Sequence, residues 1–417
     1  MDRFTATYHI ETALPLADTA AAMAGEQSTG TFLKLESEDD PVVQRQAATV
    51  ERVRGLDEAS APSLPGAVAP KGEPAMWRRG EVVLSWPLDS IGPSLPNLMA
   101  TIAGNLFELR QLSGIRLREV TLPRAFIDAY PGPAFGVAGT RRLAGVERLP
   151  LIGTIIKPSV GLTPEATAEA VSRLIDGGID FIKDDELQAD GPFCPFEQRV
   201  ATVMRVINAA ADRHGRKVMF AFNLTGEIDE MRRRHDVVVQ AGGTCVMASL
   251  NSIGLAGFSA LRRHASLPIH GHRNGWGLFY RSPMLGIDYQ VYQTIWRVAG
   301  ADHMHVNGLR NKFAETGESS IASARSCLTP LAEDRPRIAM PVFSSGQWAG
   351  QTVETYQAVG SADLIYACGG GIVGHPGGVA AGVESVRAGW EAALAGETLA
   401  ARAERSPALA TALDFFG

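Results

Sequence analysis

From Leu151 onward, eight short apolar or β-branched runs alternate with helix-patterned stretches, and few architectures accept that many repeats of that kind. The runs are Ile152 to Lys157, Phe181 to Asp184, Val218 to Asn223, Thr244 to Ser249, Pro268 to His272, Ala301 to His305, Arg337 to Phe343 and Asp363 to Ala367, beginning about 24 to 37 residues apart. Each run has the length of a strand, and each interval holds a crossover helix. Between the first two runs Thr163 is placed as an N-cap, Pro164 occupies the first turn and Gly177-Gly178 supplies the stop, which predicts a helix over Pro164 to Ile175. Eight such units over roughly 250 residues match a (β/α)8 TIM barrel. A doubly wound sheet is the alternative, although it usually has fewer repeats.

At 417 residues the chain exceeds a single core of roughly 250–300 residues, so a second, smaller unit is expected. Phe4 to Ile10 reads as a strand, Leu14 to Ala24 as a helix, Val82 to Pro87 as a strand and Pro96 to Ala103 as a helix entering Gly104-Asn105, with Ala59 to Glu73 as a loop. These predict a small α+β (ferredoxin-like) domain over residues 1–130 and the barrel over 131–417, joined at Pro131 to Pro133. A net charge of −6 gives no electrostatic footprint for nucleic acid, and the largest basic cluster, Arg232-Arg233-Arg234, reads as a solvated helix face. Cys194, Cys245, Cys327 and Cys368 lie far apart without metal-type spacing, which suits a reducing cytoplasm. No apolar run reaches the roughly 18 residues of a membrane span, and Met1-Asp2-Arg3-Phe4 lacks a signal-peptide core, so a soluble cytoplasmic protein with no membrane partner is expected.

The chemistry collects where the runs end. Lys157-Pro158 closes the first, Lys183-Asp184-Asp185-Glu186 the second and Asn223 the third; His270-Gly271-His272-Arg273 closes the fifth, His303-Met304-His305 the sixth, Ser344-Ser345-Gly346 the seventh and Gly369-Gly370-Gly371 the eighth. On a barrel all of these face one mouth. Only six of the 39 basic residues are lysine, and three of those, Lys157, Lys183 and Lys312, recur below in motif positions. Arginine can supply a surface cation, but only lysine supplies an amine that can lose its proton. Asp185 and Glu186 offer hard oxygen ligands suited to Mg²⁺. A charged lysine beside them would repel that cation, whereas burial near a metal lowers its pKa, and a neutral amine can add CO₂ to become a carbamate. Taken alone, the tetrapeptide fits equally a solvated acidic turn or a carboxylate–lysine salt bridge. The triple glycine suits a phosphate cradle or a flexible turn. Arg273 suits a second anionic group, and His272 and His305 are either proton-transfer groups or structural histidines.

These residues resemble the large subunit of ribulose-bisphosphate carboxylase (RuBisCO), and more narrowly its RuBisCO-like (form IV) proteins. The run from Gly177-Gly178-Ile179-Asp180 through Phe181-Ile182 to Lys183-Asp184-Asp185-Glu186 is similar to the family's signature segment. The similarity extends from Glu26-Gln27-Ser28-Thr29-Gly30-Thr31 to Gly369-Gly370-Gly371-Ile372-Val373-Gly374-His375-Pro376. The resemblance implies Lys183 as a carbamylated lysine that binds Mg²⁺ with Asp185 and Glu186, and Lys157 as the lysine that abstracts the substrate proton. It implies His272 as a catalytic histidine, Arg273 as a phosphate-binding arginine, His305 and Ser344 as further substrate contacts, and Lys312 as the mobile-loop lysine. Thr31, Gly346, Gly369 and Gly370 match the phosphate site. Glu26 and Asn105 match small-domain residues that complete the partner subunit's site, which implies a homodimer or a higher assembly of dimers, with no small subunit.

Departures from the family pattern narrow the expected chemistry. Ser159 stands where carboxylating members have a second lysine, Ile155 where they have a threonine and Phe32 where they have a tryptophan. Ser345 interrupts the Ser-Gly-Gly run, and Val306 to Phe313 lacks the flanking glycines of the carboxylase loop. What the resemblance then implies is a Mg²⁺-dependent enzyme that forms an enediolate on a phosphorylated keto acid or keto sugar. Retention of Lys157, Lys312 and both histidines favours decarboxylation or carbon–carbon cleavage of a branched 3-oxo sugar-acid phosphate in carbohydrate catabolism. Enolisation or isomerisation of methylthio-sugar phosphates in methionine salvage is the runner-up. A non-catalytic RuBisCO-like scaffold is the reading from a different class, and carboxylation of ribulose 1,5-bisphosphate is the outcome least expected.

Overall fold

The computed structural model describes residues 2–30, 40–70 and 76–417. Its strands, in chain order, are β1 (Arg3–Thr12), β2 (Thr49–Ala59), β3 (Trp77–Pro87), β4 (Gly114–Thr121), β5 (Leu151–Ile155), β6 (Phe181–Lys183), β7 (Met219–Asn223), β8 (Cys245–Ser249), β9 (Ile269–His272), β10 (Leu285–Ile287), β11 (His303–Asn307), β12 (Met340–Ser344) and β13 (Ile365–Ala367). Two compact units emerge, Met1–Pro131 with Gly275–Val298, and Gly132–Asn274 with Ala299–Gly417. The segment Gly275–Val298 therefore groups with the N-terminal unit, although the barrel sequence surrounds it.

In the first unit the strand order is β10-β4-β1-β3-β2. β1 runs antiparallel to β3 and β4, and β10 adds a parallel edge to β4. Helices Leu16–Glu26 and Leu95–Ala103 follow β1 and β3, giving the ferredoxin-like α+β arrangement. Phe4, Ala6, Tyr8 and Ile10 of β1 are all buried, the period of two that a strand with one covered face requires. β2 carries no such signal in the sequence, whereas β4 alternates as Ile115-Arg116-Leu117-Arg118. β2 is exposed along most of its length, and β4 buries Arg116, whose guanidinium donates to Asp288 at 2.5 Å. A paired charge thus occupies a covered position of β4.

The second unit is a closed barrel in the order β11-β12-β13-β5-β6-β7-β8-β9, every neighbouring pair parallel. Each of the eight predicted runs contains or overlaps one of its strands. The helix predicted after Thr163 spans Pro164–Asp176, with the Thr163 hydroxyl accepting the Ala166 N–H at 3.2 Å. Alternate residues of the strands fill the interior: Leu151, Phe181, Met219 and Ala221, Cys245 and Met247, Met340 and Val342, Ile365 and Ala367 form one buried cluster. That parity decides which side chains emerge at the strand ends.

The arginine triplet needs correction. Arg232 is half-buried and Arg233 exposed, but Arg234 is buried and donates to the carbonyls of Leu224 and Thr225 and to Asp190. All four cysteines are buried free thiols. Among the described residues no helix is long and apolar enough to cross a membrane.

Candidate active site

Carrying the inward parity of Phe181 two residues further brings Lys183 into the barrel, where its side chain is 1% exposed. The Lys183 ammonium donates to the Asp184 carbonyl at 2.7 Å and lies 3.6 Å from Glu186 Oε2. Burial pushes its pKa below the ordinary lysine value, and the charges of Glu186, Asp185 and Asp184 offset this only in part. Asp185, the next inward residue, accepts from Lys157 Nζ at 2.6 Å and from the Leu187 N–H at 3.1 Å. Burial pushes its carboxyl up, but the Lys157 hydrogen bond and its other donors outweigh that and hold it below the usual carboxylate range. Ser159 accepts a second hydrogen bond from Lys157 at 2.8 Å, so the residue that replaces a lysine holds this amine through an oxygen.

Opposite parity sends Asp184 outward. It meets Arg199 at 3.2 Å under the helix Phe196–His214 and accepts the Asn223 N–H at 3.0 Å. Only two of the three carboxylates in the tetrapeptide therefore face the mouth. Asn223, at the end of β7, donates its side-chain amide to the carbonyls of Asp185 and Glu186, both at 3.2 Å, and fixes the turn that presents them.

His270 and His272 of β9 and His303 and His305 of β11 meet edge to face inside the barrel. Ring centroids lie 4.7 Å apart for His270 and His305 and 4.4 Å for His272 and His305. Burial lowers the pKa of all four, to about 4 for His272 and about 3 for His303. At neutral pH they are uncharged. His272 Nδ1 lies 3.3 Å from both the Asn274 N–H and the Asn274 side-chain carbonyl oxygen, and its Nε2 is 3.5 Å from Glu186 Oε2. His305 Nδ1 is 3.2 Å from the Ser344 hydroxyl.

Arg273 follows His272 directly. Its guanidinium forms a 2.6 Å ion pair with Glu315, a residue that the sequence reading passed over. Asn307 and Ser319 also donate to Glu315, at 2.8 and 2.9 Å. An acidic residue three positions beyond Lys312 was the available signal, but nothing in the chain order linked it to Arg273. The loop that carries Lys312 is tied by Asn311, which donates to the Gly308 and Glu315 carbonyls, and by Gln347 and Gln351, which both donate to the Leu309 carbonyl. Lys312 Nζ sits 5.4 Å above the Phe313 ring.

The glycines lie at the ends of β12 and β13. Among the described residues, apart from chain neighbours and the local helix backbone, no atom comes within 4 Å of a side chain built at Gly369 or Gly370, and at Gly346 the nearest, the Arg310 carbonyl oxygen and the Lys312 nitrogen, are 4.0 Å away. Ser345 holds a left-handed φ of 72°, so the serine keeps a turn that favours glycine. Glu26 and Asn105 meet in the N-terminal unit, with Asn105 donating to Glu26 at 3.4 Å. Thr31 and Phe32 fall outside the described residues.

Residues 136–416 match the model of the ribulose bisphosphate carboxylase large chain, catalytic domain, and residues 2–126 match the N-terminal domain of the same large chain. The chain is 60% identical over 415 residues to the 3-oxo-isoapionate-4-phosphate transcarboxylase/hydrolase of Xanthobacter autotrophicus, covering 100% of this chain and 99% of that protein. It is 45% identical over 414 residues to the 3-oxo-isoapionate-4-phosphate decarboxylase of Rhizobium rhizogenes, covering 99% and 98%. A crystal structure of a rubisco-like protein from Burkholderia fungorum superposes with a TM-score of 0.94 at 47% identity, covering 100% of both chains.

Proposed function

The chain belongs to the ribulose bisphosphate carboxylase large-chain family and is an enzyme of its RuBisCO-like group, and on that premise we propose that it breaks the carbon–carbon bond to the carboxyl group of a phosphorylated 3-oxo sugar acid. The compound to test first is 3-oxo-isoapionate 4-phosphate, named in two of its relatives. The observation that carries this reading is a buried lysine of lowered pKa, Lys183, beside Asp185 and Glu186, with Lys157 hydrogen-bonded to the same Asp185.

These residues fit Mg²⁺. Two carboxylates suit a hard cation, and the Lys183 amine, made easier to deprotonate by burial, can add CO₂ and release a proton to give a carbamate oxygen as third ligand. When bound, Mg²⁺ supplies a Lewis acid for the keto oxygen of the substrate. Gly346, Gly369 and Gly370 cradle the phosphate, and Lys312 brings a cation over the substrate. His305 and Ser344 hold substrate hydroxyls, and neutral His272 offers an imidazole beside Glu186 for proton transfer. As the bond to the carboxylate breaks, CO₂ leaves or passes to an acceptor, and the electron pair moves onto the keto oxygen. Lys157, oriented by Asp185 and Ser159, returns a proton to the carbon left behind. The working unit is a homodimer in which Glu26 and Asn105 complete the partner's mouth, and buried reduced thiols suit a cytoplasmic setting.

Incubation of the protein with 3-oxo-isoapionate 4-phosphate, Mg²⁺ and bicarbonate, followed by ¹³C NMR of the carboxyl carbon, tests the reading. Loss or transfer of that carbon is expected, abolished by EDTA and by Lys183→Ala. A carboxyl group that stays in place, with enolisation of a methylthio-sugar phosphate instead, refutes it.

A further inference from the structure

The two ends of the barrel mouth that could hold an anion differ in charge, and we infer that the Arg273 end is a neutral subsite that takes an uncharged hydroxyl-bearing terminus, limiting the substrate to a single phosphate. The inference deepens the proposed function and rests on its reading of the mouth as the substrate site. An unpaired arginine at a strand end would hold a second phosphate well. Arg273 is not in that condition: its guanidinium is 2.6 Å from Glu315 Oε2, with the two side chains 7% and 2% exposed. Both carboxylate oxygens are occupied, because Asn307 donates to Oε2 and Ser319 to Oε1.

A carboxylate held by three donors in a buried place does not readily leave, since departure would strand a buried charge. An anion that approaches Arg273 therefore meets a pair whose charges cancel, with a carboxylate at short range. Hydroxyl groups suffer no such repulsion. Among the described residues, no group beyond their own chain neighbours and helix backbone lies within 4 Å of where a side chain would start at Gly369 and Gly370. The phosphate belongs at the glycine end. Glu315 is thus a specificity-determining residue, and its carbonyl, accepting from Asn311 at 3.0 Å, ties it to the loop that carries Lys312.

Calorimetric titration of the full chain in Mg²⁺ and bicarbonate with ribulose 5-phosphate and ribulose 1,5-bisphosphate tests the subsite. The wild type should bind the two with similar affinity. Glu315→Gln, which keeps the shape and an acceptor oxygen, should bind the bisphosphate at least about tenfold tighter while leaving the monophosphate nearly unchanged, a factor equal to about 1.4 kcal/mol. A wild type that already prefers the bisphosphate tenfold overturns the inference, as does a folded Glu315→Gln protein with an unaltered ratio. If that variant does not fold, the wild-type ratio decides alone. Absence of binding by either ligand overturns the inference together with the reading beneath it. Turnover of 3-oxo acid phosphates combined with a bisphosphate preference overturns the inference and leaves the proposed reaction standing.

Discussion

Replacing Arg199 by methionine should destabilise the barrel far more than its distance from the substrate groups suggests. Arg199 is fully buried, 3.2 Å from Asp184, and also donates to the carbonyls of Gln188, Ala189 and Cys194. Among the described residues Asp184 Oδ1 has no partner, so without Arg199 the carboxylate would retain only the Asn223 N–H on Oδ2. Breaking one side of a buried ion pair costs about 3–5 kcal/mol. Asp184→Asn removes the charge and leaves Arg199 its carbonyl acceptors, so its loss should be nearer 1–3 kcal/mol, roughly that of an unsatisfied polar group. The double variant Arg199→Met with Asp184→Asn should lose less than the sum of the two, with a coupling of about 1.5 kcal/mol or more. Urea unfolding at fixed protein concentration, followed by circular dichroism for all four proteins, measures this cycle. An Arg199→Met protein within 1 kcal/mol of wild type, or strict additivity in the cycle, would refute the reasoning.

Glycine substitutions separate the cradle from the scaffold: Gly370→Val should leave the unfolding midpoint almost unchanged because its side chain meets open space, yet weaken binding of inorganic phosphate about tenfold, or 1.4 kcal/mol. Gly371→Ala, by contrast, drives a methyl into the Gln347 carbonyl and should cost about 1–3 kcal/mol in urea unfolding. Acid stability should follow the buried histidines. His303 titrates at about 3 in the folded chain and near 6.5 when unfolded, so the unfolded state binds more protons between those values and stability falls as pH drops below 6.5. Each such histidine contributes up to about 1.4 kcal/mol per pH unit in that window. Melting curves from pH 7.5 to 5.0 should shift down by several degrees, with a shallower slope in His303→Gln; a flat profile would count against buried neutral imidazoles. In the mouth, Lys157→Met should remove product protonation while sparing Mg²⁺ affinity to within a few fold, and equal loss of both would give Lys157 a structural role instead.

Much of this architecture was legible in the chain order. Strand runs and helix signals are local, set by alternation over a few residues and by caps such as Thr163, and they define eight barrel units without any knowledge of packing. The strand ends also exposed Lys157, Lys183, Asp185, Glu186, His272, His305 and the glycines as a group, because parallel closure brings every such end to one face. Strand β2 escaped notice, since an exposed strand lacks the apolar alternation that marks a strand in sequence, and β4 was passed over although Ile115 and Leu117 alternate with arginines.

Tertiary structure decided the pairings. Sequence places Asp184 with its acidic neighbours, but one step of strand parity turns it outward to Arg199, fifteen residues on. Sequence offers Arg273 as an anion site, and closure of the barrel puts Glu315 against it from a different strand-to-helix loop, 42 residues away. Arg234 belongs to a basic triplet by order, and burial gives it two carbonyls and a carboxylate. Composition and local periodicity fix which elements form, because those depend on residues within a turn or two. Charge balance at a site depends on which distant side chains share a buried, weakly screened volume, and only the closed barrel specifies that.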